Sequence, residues 1–163
     1  MTRRSASERR YGALVIAGVS AAIVAGVGFA YVMALSGGGG PGVDDADQLA
    51  MGQQVYTEAC ASCHGAELEG QPNWRVRQAN GRLPAPPHDE TGHTWHHADQ
   101  QLFEITKQGV AALAPEGYES DMPAFAETLS DDEIRAVLAY IRSTWPAEIR
   151  AQQELRTQRY QGN

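Results

Sequence analysis

The chain has 163 residues, enough for roughly one ordinary domain with additional segments. It carries 13 Lys and Arg residues against 20 Asp and Glu residues, a formal net charge of −7. The span 44–134 holds only four basic side chains against 17 acidic ones, a formal charge of −13. This balance argues against nucleic-acid binding, which requires basic patches. It suits docking to a positively charged protein partner, although acidity that serves only solubility explains it equally well.

Residues 11–35 contain no charged side chain. As a helix rising about 1.5 Å per residue, they cover the approximately 30 Å hydrocarbon core of a membrane. Arginines before them and aspartates after them predict a cytoplasmic N-terminus and an exported remainder. A cleaved signal peptide is the alternative, with Val32 and Ala34 as the small residues before the cut. The length of the apolar stretch favours a retained membrane anchor, so residues 1–35 are expected to be a short cytoplasmic stub and a single transmembrane helix.

Four consecutive glycines follow this segment, so residues 36–45 are expected to form a flexible linker. The folded domain is then expected to span residues 46–145. Apolar residues at helical spacing predict one helix that leads up to Cys60. A second, short helix is predicted from about Asp99 to Gly109.

The sequence also predicts a third and stronger helix that begins at Ser130. Ser130 and Glu133 have the spacing of a capping box, in which each side chain bonds the backbone N–H of the other residue. The apolar positions after the cap recur at helical period: Ile134, Val137, Leu138, Ile141 and Trp145. Pro146 either ends this helix or begins another short one, and residues 146–163 are expected to form a polar C-terminal tail. No strand pattern occurs, so the predicted fold class is all-α.

The only two cysteines of the chain, Cys60 and Cys63, are followed directly by His64. The pattern C-x-x-C-H is the attachment signal of a c-type haem. Two thioethers from one turn of chain hold the two vinyl groups, and the adjacent histidine becomes an axial ligand of the iron. A zinc site would require a second Cys or His pair. A thioredoxin-like redox pair is expected in a βαβ setting, and no such setting is predicted here. A structural disulfide would not need the histidine. One covalent haem c is therefore predicted, and the irregular stretch 65–97 is expected to wrap it.

With these residues in place, the chain resembles the class I cytochromes c of the bacterial membrane-anchored, single-haem type across residues 46–145. Besides the haem motif, Gly52 and Tyr56 match the small and aromatic pair of the family's N-terminal helix. Val137 and Tyr140 match the positions at which the C-terminal helix crosses it. The resemblance implies a class I cytochrome c fold, in which three main helices surround a covalently bound haem, behind one N-terminal transmembrane helix.

The resemblance also implies two further contacts at the haem. The turn that contains Pro72 resembles the one whose proline carbonyl accepts a hydrogen bond from Nδ1 of His64. The sequence DMPAF, residues 121–125, resembles the loop that supplies the second axial ligand, here Met122. A histidine or an open iron site remains the alternative. The rival histidines are His88, His93, His96 and His97.

The stretch GHTWHH combines three of those histidines with Trp95. The histidines could bind a transition metal or could be surface polar groups. The resemblance places Trp95 near the haem, where it is expected to cover the haem edge or to bond a propionate. Three arginines, any of which could instead face water, are candidate partners of the propionates: Arg75, Arg77 and Arg82.

These features predict a membrane-tethered electron-transfer protein rather than an enzyme. It is expected to sit in the inner membrane by a single span, with its haem domain in the periplasm. Single electrons would pass from a quinol-oxidising complex to a terminal oxidase or a photosynthetic reaction centre, through membrane partners with a basic docking patch. A fixed haem c subunit of a larger respiratory or photosynthetic complex is the alternative. A haem peroxidase or gas sensor would require an open iron site.

Overall fold

The computed structural model describes residues 46–162. This part of the chain is all-helical and contains no strand, as predicted. The membrane anchor and the glycine-rich linker predicted for residues 1–45 lie outside it. None of the helices within residues 46–162 combines the length and the apolar character that crossing a membrane requires.

Six α-helices follow one another along the described chain. They are α1 (Ala46–Val55), α2 (Ala61–His64), α3 (Asp99–Gln108), α4 (Val110–Leu113), α5 (Asp131–Ser143) and α6 (Ala147–Gln161). A π-helical segment, Tyr56–Cys60, joins α1 to α2, and a 3₁₀ turn, Thr94–His96, lies in the long connection before α3.

Helices α1 and α5 cross in direct backbone contact at Gly52. A Cβ atom at this position would lie 2.1 Å from the carbonyl oxygen of Ala136 and 2.8 Å from Cβ of Tyr140. Only glycine therefore permits this approach, which confirms that a small residue marks the crossing. Around the crossing, Tyr56 and Val137 are 2% and 1% exposed and belong to one apolar cluster, against which Cys60 of the haem motif packs.

Helices α3 and α5 agree with the predicted boundaries because local signals determine both. Helix α3 ends at Gln108, and Gly109 follows with φ +81°, a backbone conformation that favours glycine. At the start of α5, the backbone N–H of Glu133 donates to Ser130 Oγ at 3.3 Å. The backbone N–H of Ser130 donates to the Glu133 carboxylate at 2.8 Å, which completes the predicted capping box.

Of the two roles left open for Pro146, the structure shows the start of a further helix, since Ala147–Gln161 form the 15-residue helix α6, longer than the short helix expected. Its buried residues are polar: Gln153 is 0% and Thr157 6% exposed. Gln153 Nε2 donates to Asp99 Oδ1 at 2.6 Å, and the backbone N–H of Asp99 donates to Thr157 Oγ1 at 3.0 Å. Helix α6 thus packs on the start of α3 through hydrogen bonds. Because this buried face is polar, it lacks the apolar periodicity that marks a buried helix face in a sequence.

Candidate haem-binding site

One apolar cavity of about 420 Å³ lies between the long connection, α3 and α5. Its size falls within the roughly 300–1,000 Å³ of most ligand sites. Much of the wall is apolar, with Leu83, Pro84, Leu102, Ile105, Leu138 and Ile141 among the lining residues. Cys60, Cys63, His64 and Met122, predicted to attach the haem and ligate its iron, all line this same cavity.

The two cysteines reach the cavity from the π-helical segment and from α2. Cys60 is half-buried and Cys63 is exposed, and the two thiols are not joined to each other. Burial, and secondarily the neighbouring Cys63, raises the pKa of Cys60 to about 11. Both thiols thus line the cavity, one half-buried and the other exposed, and both remain available for thioether bonds.

His64 uses one of its two ring nitrogens, Nδ1, for a hydrogen bond to the backbone. Its Nδ1 lies 2.8 Å from the carbonyl oxygen of Pro86. Because a carbonyl only accepts hydrogen bonds, Nδ1 carries the hydrogen and Nε2 keeps its lone pair. Burial lowers the pKa of His64, although the bond to Pro86 opposes that effect. His64 is thus kept in the neutral form in which imidazole binds metals.

The resemblance to class I cytochromes c implied that the carbonyl of Pro72 bonds His64. The structure corrects this, because Pro86 occupies that role. Pro72 is exposed, and the N–H of Gly70 two residues earlier donates to the carbonyl of His64 itself, at 2.7 Å. A Cβ atom at Gly70 would lie 2.4 Å from the nitrogen of Pro87. The predicted turn therefore forms, but it brings up a second segment of chain, and the carbonyl of Pro86 in that segment accepts the bond.

Met122 lies half-buried in a loop that is held by ion pairs before it and by a backbone hydrogen bond after it. Arg82 forms ion pairs with Asp121 and, at 3.2 Å, with Glu119, the residues just before Met122. After it, the backbone N–H of Phe125 donates to a carbonyl of α3 at 3.2 Å. Arg82, one of the three predicted propionate partners, thus connects the loop of Met122 to the segment that contributes Leu83 and Pro84 to the cavity.

Trp95 does not line the cavity, which corrects its predicted place at the haem edge. The 3₁₀ turn buries Thr94 and directs Trp95 towards the apolar cluster at the helix crossing. The indole N–H of Trp95 donates to the carbonyl of Glu90 at 3.2 Å. Trp74 lines the cavity instead, with its ring stacked 5.5 Å from that of His93. The sequence offered no periodic signal for Trp74, because it lies in an irregular loop.

The other arginines and histidines singled out in the sequence have the following positions. Arg75 sits 3.9 Å above the ring of Trp74, and Arg77 donates to the carbonyl of Gly81 at 2.6 Å. His93 and His97 line the cavity, and His96 does not. Within residues 46–162, no group of three or more His, Cys, Asp or Glu side chains is arranged to hold a metal ion.

His88 lines the cavity on the same side as His64. The two rings stack face to face, with centroids 4.0 Å apart and planes inclined by 23°. Two imidazoles on opposite sides of one iron would point at each other through their nitrogens, with the metal between them. A stacked pair cannot do so, and the position of His88 therefore disfavours it as the sixth ligand. Burial, together with His64 and His93, lowers the pKa of His88 to about 3, so its ring is neutral.

An all-helical domain in which a C-x-x-C-H segment lines an apolar cavity defines a c-type haem protein. In agreement, the family model described as cytochrome c matches residues 49–145. The chain belongs to the cytochrome c family, and its cofactor is covalently attached haem c. The residues present fit that group, since the two thiols, the free imidazole nitrogen and a thioether all meet the same apolar space.

Two individual proteins are similar to the chain. It is 27% identical over 113 residues to the Cbb3-type cytochrome c oxidase subunit CcoP of Azospirillum sp. (strain B510). This match covers 69% of the chain and 33% of that subunit, so the chain spans about a third of its relative's length. The solved cytochrome cL of the marine methylotroph Methylophaga aminisulfidivorans MPT aligns with a TM-score of 0.48 at 24% identity, covering 74% of this chain and 69% of that one.

Proposed function

We propose that this chain is a membrane-tethered, single-haem cytochrome c that passes single electrons between a quinol-oxidising complex and a terminal oxidase or photosynthetic reaction centre. The observation that carries the proposal is the convergence of Cys60, Cys63, His64 and Met122 on one apolar cavity. The haem supplies the one-electron chemistry when it is bound. The polypeptide supplies attachment, ligands and exclusion of water.

Each of the four side chains has one role in this proposal. Cys60 and Cys63 would form the thioether bonds, and His64, through Nε2, and Met122, through sulfur, would hold the iron. A thioether ligand raises the reduction potential relative to a second histidine. If His64 and Met122 both hold the iron, they would leave no position for oxygen or peroxide, which would favour electron transfer over catalysis.

The tether is supported by the charge-free segment 11–35 and by the arginines that precede it. It would place the haem domain in the periplasm and keep the N-terminus in the cytoplasm. Confinement to the membrane surface would raise the effective concentration of the domain near membrane-bound partners. N-terminal sequencing of the mature protein tests this part, because a sequence that begins near Ser36 would establish a cleaved signal peptide instead.

A second candidate is a fixed haem c subunit of a respiratory complex. It is favoured by the similarity to a protein named as a subunit of a cbb3-type oxidase. The C-terminal helix α6 does not add support, because it packs on its own domain through Gln153 and Thr157. Purification from membranes in mild detergent separates the two candidates. A shuttle elutes alone, whereas a subunit elutes with its complex.

Carbon monoxide binding to the reduced, full-length protein tests the ligand set. We expect no binding to the wild type, because Met122 fills the sixth position. Met122→Ala should open that position and bind carbon monoxide. Met51→Ala is the matched control, because Met51 is 46% exposed on α1 and does not line the cavity. Binding to the undenatured wild type would contradict the proposal and favour a peroxidase or gas sensor.

A further inference from the structure

His88 is a histidine in the cavity wall that the proposed ligand set does not use. Four contacts hold it in place. Its backbone N–H donates to the carbonyl of Leu68 at 2.8 Å, and its carbonyl accepts the indole N–H of Trp145 at 2.7 Å. Its Nδ1 lies 2.8 Å from Thr94 Oγ1, at hydrogen-bonding distance. The edge of its ring also meets Tyr56, with centroids 6.3 Å apart and planes at 73°.

The hydrogen bond to Thr94 and the edge contact with Tyr56 act on the His88 ring itself, whereas the bonds to its N–H and its carbonyl fix its backbone. Trp145 is 2%, Tyr56 2% and Thr94 6% exposed. The surface that this rigid ring presents is the flat face lying 4.0 Å from His64. The His64 ring also has one side-chain hydrogen bond, from Nδ1 to the carbonyl of Pro86, and its ring contact is the one with His88. One such bond selects the tautomer, but the imidazole ring can still rotate about it.

We propose that His88 is a positioning residue for the proximal ligand, and that its stacked ring sets the rotational orientation of the His64 imidazole. A flat ring against the face of His64 blocks the rotation that the Pro86 bond permits. Groups that touch a metal ligand without touching the metal orient the ligand and tune its basicity. The inference rests on the proposed role of His64 as the axial ligand, and it adds the group that fixes its plane.

Three substitutions of His88 separate the flat ring from the other properties of histidine. His88→Phe keeps a flat ring and loses the contact with Thr94. His88→Leu fills the space with an apolar side chain that has no flat face. His88→Gln keeps a polar group for Thr94 but has no ring. His96→Leu is the control, because it removes a histidine that is exposed and lies outside the cavity.

The readouts are the reduction potential and the electron paramagnetic resonance g values of the ferric, full-length holoprotein, which report the orientation of an axial imidazole. We expect His88→Leu and His88→Gln to shift both quantities in the same direction. His88→Phe and His96→Leu should remain close to the wild type. If His88→Leu does not mature with haem, the comparison of His88→Gln with His88→Phe still decides the question.

The proposal is overturned if all the variants keep the wild-type g values, or if His88→Phe shifts them as far as His88→Gln does. This failure is distinguishable from failure of the proposed ligand set. A wild-type spectrum of low-spin iron that disappears in His64→Ala upholds His64 as a ligand, whatever the variants of His88 do.

Discussion

At the level of single residues, the haem motif and its surroundings follow different rules. The spacing of Cys60, Cys63 and His64 is dictated by covalent chemistry within one turn of chain, so it can be read from the sequence alone. The carbonyl that bonds His64 comes from Pro86, 22 residues away, and nothing local distinguishes Pro86 from Pro72. The resemblance implied that a proline carbonyl accepts the hydrogen bond of His64, but it pointed to the wrong proline. The same applies to Trp74, which only the folded loop brings to the cavity.

The two cysteines are expected to contribute separable thioether bonds. In Cys60→Ala or Cys63→Ala, one bond remains, so haem should stay with the denatured polypeptide on a gel. The pyridine haemochrome spectrum should shift from the two-thioether to the one-thioether form. The double variant should lose its haem under denaturing conditions. Ser62→Ala, between the two cysteines, is the matched control and should keep the wild-type spectrum. Haem that can be extracted by acid and acetone from the wild type would refute covalent attachment.

Exchange of the sixth ligand tests the role of Met122 directly. Met122→His should keep a low-spin haem and lower the reduction potential, because imidazole favours ferric iron more than a thioether does. We expect a decrease on the order of 0.1 V, within the roughly 0.8 V over which axial ligands set haem potentials. Redox titration of the purified protein measures the change. An unchanged potential would mean that Met122 is not a ligand, and Met51→His controls for an added surface histidine.

At the level of helices, prediction succeeded where the chain carries its own start and stop signals. Ser130 and Glu133 cap α5, and Gly109 ends α3, so the boundaries of both helices were correct. For α6 the sequence left open whether Pro146 ends one helix or begins another, because the buried residues of α6, Gln153 and Thr157, are polar. A helix that docks through hydrogen bonds leaves no apolar stripe. Its position becomes evident only when the start of α3, with which it pairs, is placed in the fold.

Gly52 is expected to be the least replaceable small residue of α1. In Gly52→Ala, the new Cβ would lie 2.1 Å from a backbone oxygen of α5, and the two helices would have to separate. Overpacking of this kind costs about 1–3 kcal/mol, which should outweigh the roughly 0.5–1 kcal/mol by which alanine favours a helix over glycine. Denaturant unfolding of the holoprotein measures the difference. Gln53→Ala, at the exposed neighbouring position, should change the free energy of unfolding by less than about 0.5 kcal/mol.

If Gly52→Ala proves as stable as the wild type or more so, the close crossing of α1 and α5 is wrong.

The packing of α6 can be tested at Gln153. Its amide donates to Asp99 and to the carbonyl of His97, a cavity-lining residue, at 2.6 and 3.3 Å. Gln153→Ala removes these bonds and leaves buried groups unpaired, which should destabilise the holoprotein by about 1–3 kcal/mol. Gln152→Ala, exposed on the same helix, is the matched control and should have little effect. Equal stability of the two variants in denaturant unfolding would show that α6 does not dock as described.

At the level of the whole molecule, charge is segregated along the chain. The span 44–134 carries a formal charge of −13, whereas residues 135–163 hold five basic against two acidic side chains. Two of the four basic residues in the acidic span are engaged in ion pairs. Arg82 pairs with Glu119 and Asp121, and Lys107 pairs with Asp131 at 2.6 Å. The part of the sequence that builds most of the haem cavity is therefore also its most negative part.

Electron transfer to a physiological partner is accordingly expected to slow steeply as salt rises. Steering by charge can speed encounter by roughly 10–10³-fold, and the screening length shrinks to about 8 Å at physiological ionic strength. The measurement uses the full-length protein in mild detergent, reacting with solubilised membranes across a salt series. Glu67→Lys, three residues after His64, should lower the rate at low salt more than Glu154→Lys on α6, which changes the net charge equally. A rate that does not depend on salt would exclude steering and leave the acidity as a determinant of solubility. Equal effects of the two variants would assign the dependence to net charge and not to docking of a basic patch beside the haem motif.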